Sequence, residues 1–141
     1  MASIAISAQG TLLKIESTAS SGTYTTIPET HKIQAPNLKY DILETSSHDS
    51  VTYKEYLPGL ADGENIVASY WFVPTNAVHI QVRTDGYART KKNFQIIFPG
   101  GGTGAQMAPA AYIVGMSPQA DSNTVLMTQL TAKCTGAITW T

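Results

Sequence analysis

Histidine binds metals and moves protons near neutral pH, so His31, His48 and His79 are the first residues to test for chemistry. They lie 17 and 31 residues apart, and none stands at a telling interval from a carboxylate. His48 and Asp49 are adjacent, and neighbours on a strand point to opposite faces. All three read as solvated loop histidines. The Gly100-Gly101-Gly102-Thr103-Gly104 run invites a phosphate site. A P-loop, however, needs G-x-x-x-x-G-K-[ST], because the Lys reaches the phosphates and the hydroxyl holds the metal ion. Here Ala105-Gln106 follows Gly104, so the run reads as a flexible hairpin tip. No serine sits in a G-x-S-x-G elbow, and Cys134 has no His nearby in sequence. A lone cysteine cannot make an internal disulfide or a zinc site. No carboxylate pair stands out among the ten acidic residues. These residues assign no catalytic group, no metal ligand and no cofactor, and the chain is expected not to be an enzyme.

The charges are distributed more tellingly. Arg83, Arg89, Lys91 and Lys92 place four of the nine basic residues within ten positions. Six of the ten acids (Asp41, Glu44, Asp49, Glu55, Asp62 and Glu64) fall between positions 41 and 64. One reading is a solvated turn and a solvated hairpin. The other is that the two segments meet across subunits, where complementary patches fix register. A head-to-tail polymer needs two different faces, and this asymmetry supplies them.

The elements that must carry these residues belong to a 141-residue chain, long enough for one domain with its own core. Charged residues make up 13%, about half the usual share. Hydroxyls replace them, with 18 Thr and 11 Ser, 29 positions of 141. A net charge of −1 argues against a dedicated nucleic-acid binder, whose affinity needs a basic surface. Near-neutrality also favours association, which suggests a surface meant to be covered. No apolar run approaches the ~20 residues of a membrane helix. The segment Met1 to Ser7 lacks a basic leader, so a secretory signal is not expected. The single cysteine fits folding in a reducing cytoplasm.

Apolar side chains recur every second residue, the period of a strand. Leu13 and Ile15 share one face of Thr11 to Ser17, and Ser17 to Gly22 is a polar turn. Tyr24 to Ile27 and His31 to Ile33 are further strands, closed by Pro36-Asn37. Leu38, Tyr40 and Ile42 alternate, then Glu44 to Ser50 is an exposed loop. Val51 to Leu57 resumes the alternation, and Pro58-Gly59 with Asp62-Gly63 brackets a turn. Ile66 to Val73 is apolar on both faces and should be covered on both. Pro74 to Tyr87 fits two patterns. Val78, Ile80 and Val82 alternate as in a strand, whereas Thr75 or Asn76 makes an N-cap and Asp85-Gly86 a stop. On a helix, Ala77, Ile80, Thr84 and Tyr87 would share a face. Phe94, Ile96 and Phe98 form a strand ended by Pro99. Tyr112 to Val114, Thr124 to Lys133 and Ala137 to Trp140 complete the series. Many strands with at most one helix predict a mainly β fold, an antiparallel β-sandwich or barrel. Ile66, Tyr70, Trp71, Phe72, Phe94 and Ile96 are its expected core.

The order of these features resembles the major tail tube proteins of long-tailed, siphovirus-type bacteriophages. Ala35-Pro36-Asn37 leading into Tyr40-Asp41-Ile42-Leu43-Glu44-Thr45-Ser46-Ser47-His48-Asp49-Ser50 carries it, as does Glu55-Tyr56-Leu57-Pro58-Gly59-Leu60-Ala61-Asp62-Gly63-Glu64. The strand to Trp71, the Pro74-Thr75-Asn76 lead-in, Phe94-Gln95-Ile96-Ile97-Phe98, Tyr112-Ile113-Val114-Gly115 and Gly136-Ala137-Ile138 continue it. It covers most of residues 11 to 141, through order and spacing rather than any single motif. The resemblance implies a single tail-tube domain over 1–141 with a flexible N-terminal segment of about residues 1–10. It further implies one flanking helix from about Asn76 to Gly86 and a long protruding hairpin from Tyr40 to Leu60. Glu44, Thr45, Ser46, Ser47, His48, Asp49 and Ser50 would make contacts between rings, with Arg83, Arg89, Lys91 and Lys92 as the complementary basic segment. The implied function is a virion structural protein that stacks hexameric rings into a hollow tube conducting the genome during ejection. Its partners would be copies of itself, the tape measure, terminator and distal tail proteins, and double-stranded DNA passing through the lumen without specific contacts. No membrane is involved. Its place would be the virion tail, assembled in the host cytoplasm. Ser17 to Gly22 and Gly100 to Gly104 would order only on assembly. A tail terminator or completion ring protein, and a glycan-binding β-sandwich module with Trp71 and Trp140 exposed, are the alternatives.

Overall fold

The computed structural model describes residues 3–49 and 51–141. Period-two alternation builds β1 (Leu12–Glu16), β2 (Tyr24–Thr26), β3 (Thr30–Gln34), β4 (Leu38–Glu44), β5 (Tyr56–Gly63) and β6 (Asn65–Trp71). After these come α1 (Ala77–Ala88), β7 (Lys91–Ile97), β8 (Gln106–Gln119) and β9 (Met127–Trp140). Residues 3–10 form neither strand nor helix.

Seven strands make one antiparallel sheet in the order β2-β1-β7-β8-β9-β6-β3, and β4 and β5 pair separately as a hairpin. β2 and β3 lie at opposite edges, yet only residues 27–29 connect them. Seven flat strands would separate those edges by roughly 29 Å, at about 4.8 Å per strand. The four Cα steps from Thr26 to Thr30 reach only about 14 Å when fully extended. The sheet must therefore curl until its edges meet. The link is stitched to both sides, as Ile27 N–H donates to Leu13 O at 2.9 Å and Trp71 N–H donates to Glu29 O at 2.9 Å. No ladder joins β2 to β3, so the curl stops short of a closed barrel. The result is the expected mainly β, sandwich-like fold with one flanking helix.

The inner face of the curl holds the core. Leu13 and Ile15 from β1, Phe94 and Ile96 from β7, Ala111 from β8, Leu130 and Ala132 from β9, and Ile66, Ala68 and Tyr70 from β6 are buried together. Of the expected core, Ile66, Tyr70, Phe94 and Ile96 are fully buried, whereas Phe72 packs half-buried at the margin. Trp71 departs from expectation. Because Tyr70 points inward, period two turns Trp71 outward, where it is half-buried and stacks on His31 with ring centroids 4.1 Å apart.

The contested segment is helical. Asn76 is the N-cap, its side chain accepting from Val78 N–H at 2.9 Å and His79 N–H at 3.3 Å. Asp85-Gly86 does not stop it; the helix runs on to Ala88 and ends at Arg89, which adopts φ 57°. Gly86 serves a close approach instead, since a Cβ there would lie 3.2 Å from Ile113 Cγ2. The inward face also differs from the expected one. His79, Val82 and Asp85 are buried, while Ile80 and Tyr87 face out.

His79 is a structural tie rather than a solvated residue. Its Nδ1 accepts from Val73 N–H at 3.1 Å, and its Nε2 lies 3.0 Å from Pro28 O. Nδ1 also lies 3.3 Å from Val73 O, so both ring nitrogens have backbone partners. α1 is thereby fastened to the link that closes the curl. His48 is an exposed loop residue as expected, whereas His31 is exposed but lies in β3, where it stacks on Trp71.

A second polar node lies at the end of β1. The buried Glu16 carboxylate accepts from the backbone N–H groups of Ser20, Gly22 and Asn93, each at 3.2 Å. Burial opposes its charge, but hydrogen bonds from Asn93, Gly22 and Ser20 outweigh that and hold its pKa below the ordinary value. The Ser17 to Gly22 turn, expected to order only on assembly, is already wrapped around this carboxylate. Lys92 enters beneath it. It is 4% exposed, donates to Ser17 O at 3.2 Å, and lies 3.6 Å from the Asp85 carboxylate.

Several strand limits differ from the sequence pattern for one reason: bulges interrupt alternation without ending pairing. Pro58-Gly59 does not turn; it lies inside β5, where the register shifts against Tyr40 to Ile42 and a Cβ on Gly59 would meet Asp41 O at 3.1 Å. Pro58 is tolerated because the hairpin is not a central pair. β8 extends far beyond Tyr112 to Val114, its register shifting beside Pro109 and at Val114. β9 runs unbroken through Gly136, which adopts φ 76°.

The Glu16 node predicts an acid-sensitive fold. A depressed folded pKa stabilises above the ordinary glutamate value of about 4.3, and that stabilisation is lost as pH falls through the folded value. Glu16→Gln should cost about 2–3 kcal/mol at pH 7, and the gap to wild type in urea unfolding should be smaller at pH 3. A gap of unchanged size at both pH values contradicts the assignment. Tyr70 gives a contrasting case: burial pushes its hydroxyl up to about 12, and the group has no hydrogen-bond partner among the described residues. Tyr70→Phe should therefore be neutral or stabilising by up to about 1 kcal/mol, whereas Ile66→Ala should cost about 2–5 kcal/mol. A large loss of Tm in Tyr70→Phe would show that the hydroxyl is hydrogen-bonded after all.

Candidate functional site

The surface feature that most needs explaining is the hairpin. Every residue of β4 is exposed, and Leu38, Tyr40, Ile42 and Leu43 on β4 and Tyr56, Leu57 and Leu60 on β5 are exposed apolar side chains, with Leu43 and Leu57 paired across the arm. Nine of the nineteen large apolar side chains left exposed among the described residues fall between positions 38 and 60. An isolated two-stranded hairpin is marginal in water, and apolar surface on this scale marks an interaction site. The arm spans Leu38 to Gly63, longer at both ends than the expected Tyr40 to Leu60.

Its tip carries the residues singled out for contact. Glu44, Thr45, Ser46, Ser47, His48 and Asp49 are all exposed, and Ser50 lies outside the described residues. The mouth is held by Thr45 N–H donating to Glu55 O at 2.8 Å and Glu55 N–H donating to Ser46 Oγ at 2.7 Å. At the base, Lys133 Nζ donates to the Asp62 carboxylate at 2.9 and 3.1 Å, and Cys134 N–H donates to Glu64 O at 3.2 Å. Glu64 also lies 3.8 Å from Lys39 Nζ. Two of the six clustered acids are thus engaged within the chain, and the acidic surplus sits on Asp41, Glu44, Asp49 and Glu55.

The basic segment loses a member. Lys92 is buried in the Glu16 node, because Lys91 and Lys92 alternate across β7 and only one can face outward. Arg83, Arg89 and Lys91 remain exposed. Arg83 borders a groove of about 250 Å³ between α1 and β8, lined by Phe72, Tyr87, Ile113, Val114 and Met116 among others. Its walls are largely apolar.

Burial raises the Cys134 thiol pKa, with Asp62 adding to the rise and Lys133 opposing it, so the sulfur stays protonated. Among the described residues, no group of three or more His, Cys, Asp or Glu side chains is placed to hold a metal ion. No helix among them is long and apolar enough to cross a membrane. Trp140 is half-exposed and stacks on Phe98 at 5.8 Å. Sequence reasoning missed Glu16, His79 and the groove. An acid ending an apolar strand, followed by a Ser/Gly turn of unpaired N–H groups, was the available signal for the first.

No protein-family model matches the sequence, and no curated protein does. Solved structures do match it in fold. A chain from the tail of an empty gene transfer agent particle, refined with C6 symmetry, superposes with a TM-score of 0.82 at 18% identity, covering 97% of this chain and 99% of that one. The SPP1 tail tube protein gives 0.74 at 11% identity, over 94% and 77%. A chain from the sheath/tube terminator of an extracellular contractile injection system gives 0.70 at 17% identity, over 99% and 98%. This chain therefore carries the fold found in phage-type and injection-system tail tube structures.

Proposed function

We propose that this protein is a tail tube subunit that assembles with copies of itself into stacked six-fold rings. The observation that carries the reading is the uncovered apolar arm on a domain whose whole length superposes on tail proteins. In the ring, open edges of the curled sheet meet those of neighbours, which removes an aggregation hazard by turning it into assembly. The arm reaches a further copy, with Glu44 to Ser50 at its tip forming contacts between rings and Arg83, Arg89 and Lys91 as the complementary basic face. The low charge of the chain suits a conduit, since a wall without dense Lys and Arg avoids the counterion-release affinity that would trap DNA. In this reading the tube belongs to a virion tail assembled in the host cytoplasm. Double-stranded DNA passes through its lumen, and tape measure, terminator and distal tail proteins complete the structure. The protein acts without catalysis.

Negative-stain microscopy of the purified protein tests this. Hollow tubes should appear, and the mass by light scattering should grow with concentration. A monodisperse monomer at high concentration would contradict it, and assembly that halts at one ring would assign the protein as a terminator instead. Deleting Thr45 to Ser50 should leave a folded domain, with unchanged Tm within a few degrees, that forms no long tubes. Normal tubes from that deletion would remove the tip from the contact between rings.

A further inference from the structure

The self-assembly reading leaves open where on a second copy the arm lands, and we infer that its stem seats in the groove between α1 and β8. The groove is the apolar concavity beside the helix, and its rim carries the cation Arg83. An apolar cavity of roughly 150 Å³ takes a benzene-sized guest, so about 250 Å³ has room for two leucine side chains. The helix leaves this side unfilled because its inward face is spent on His79, Val82 and Asp85, while Tyr87 stands 86% exposed at the groove's edge.

The stem has the matching shape and charge. Leu43 and Leu57 are cross-strand partners, so their side chains leave the same face as one apolar knob, each 57% exposed. Glu55 stands two residues ahead of Leu57, just before β5, where Thr45 N–H donates to its carbonyl at 2.8 Å, so an exposed carboxylate lies next to the knob. A knob of two leucines with a carboxylate beside it fits an apolar groove with a guanidinium at its rim. Leu43 and Leu57 enter between Tyr87, Val114 and Met116, and Glu55 pairs with Arg83 of the receiving copy. The other exposed apolar segment, Ile4 and Ile6 in residues 3–10, carries no acid to meet Arg83. This contact is heterologous, so it propagates from copy to copy instead of closing on itself.

Charge exchange tests the pairing, because Glu55 and Arg83 are both exposed and their replacement leaves the core intact. Circular dichroism should confirm folding of Glu55→Arg, Arg83→Glu and the double exchange. Each single variant should raise the concentration needed for assembly at least tenfold, and the double exchange should restore it to within about threefold of wild type. Tyr87→Asp should also block assembly. Singles that assemble like wild type, or a double exchange no better than either single, overturn the inference while leaving the tube reading standing. So does normal assembly of Arg83→Glu combined with failure after deletion of residues 3–6, which gives the groove to the N-terminal segment. Wild-type protein that never assembles overturns the tube reading and this inference with it.

Discussion

Three residues, Ile27, Pro28 and Glu29, join strands at opposite edges of a seven-stranded sheet. That short link cannot span the sheet's flat width, so it dictates the curl on which everything else rests. The curl creates an inside, and the inside collects Leu13, Ile15, Ile66, Tyr70, Phe94, Ile96 and Leu130. It also brings Pro28 O within reach of His79, and so decides which side of α1 turns inward. A helix oriented by a buried histidine and a buried Asp85–Lys92 pair presents Ile80 and Tyr87 to the outside. The groove beside β8 and the exposed face of the helix follow from that orientation.

The two polar nodes divide the work of closure. His79 fastens the helix start to the link, and Glu16 fastens the end of β1 to its following turn and to β7. Both are fully supplied with hydrogen-bond partners, which is what makes such residues tolerable inside a core. Charge left over after these internal uses is unevenly placed. Of the acids between positions 41 and 64, Asp41, Glu44, Asp49 and Glu55 project on the arm, where Lys39 and Lys54 offset part of their charge, whereas Arg83, Arg89 and Lys91 sit on and beside the helix. A chain of nearly neutral total charge thus carries an acid-rich arm and a basic segment at the helix, two unlike faces of the kind a head-to-tail contact uses.

Much of this was legible in the sequence. Alternation located most strands, and the one-sided pairs Leu13/Ile15 and Phe94/Ile96 named core positions correctly. The helix was ambiguous because Val78, Ile80 and Val82 satisfy a strand pattern; the Asn76 cap, worth about 1 kcal/mol, together with tertiary packing, settles it. What sequence could not show were the consequences of the curl. The expected helix face, Ala77, Ile80, Thr84 and Tyr87, follows apolarity, whereas the real one follows His79, whose partner Pro28 lies 51 residues away, and Asp85, whose partner Lys92 lies beyond the helix end on β7. Lys92 looked like surface charge because its neighbours Arg89 and Lys91 are. Pro58-Gly59 read as a turn and Gly136 fell in a gap between two strands, yet pairing continues past both through a bulge or a register shift. The arm was expected, but the exposure of its apolar side chains needed the structure.

The central claim is that this arm is covered by another copy of the chain. A side-chain-resolution cryo-EM reconstruction of the assembled protein tests it most directly. The account predicts Leu43 and Leu57 of each subunit buried against a neighbouring subunit, with the sheets abutting around a central channel. An assembly in which residues 38–63 stand free in solvent would contradict it.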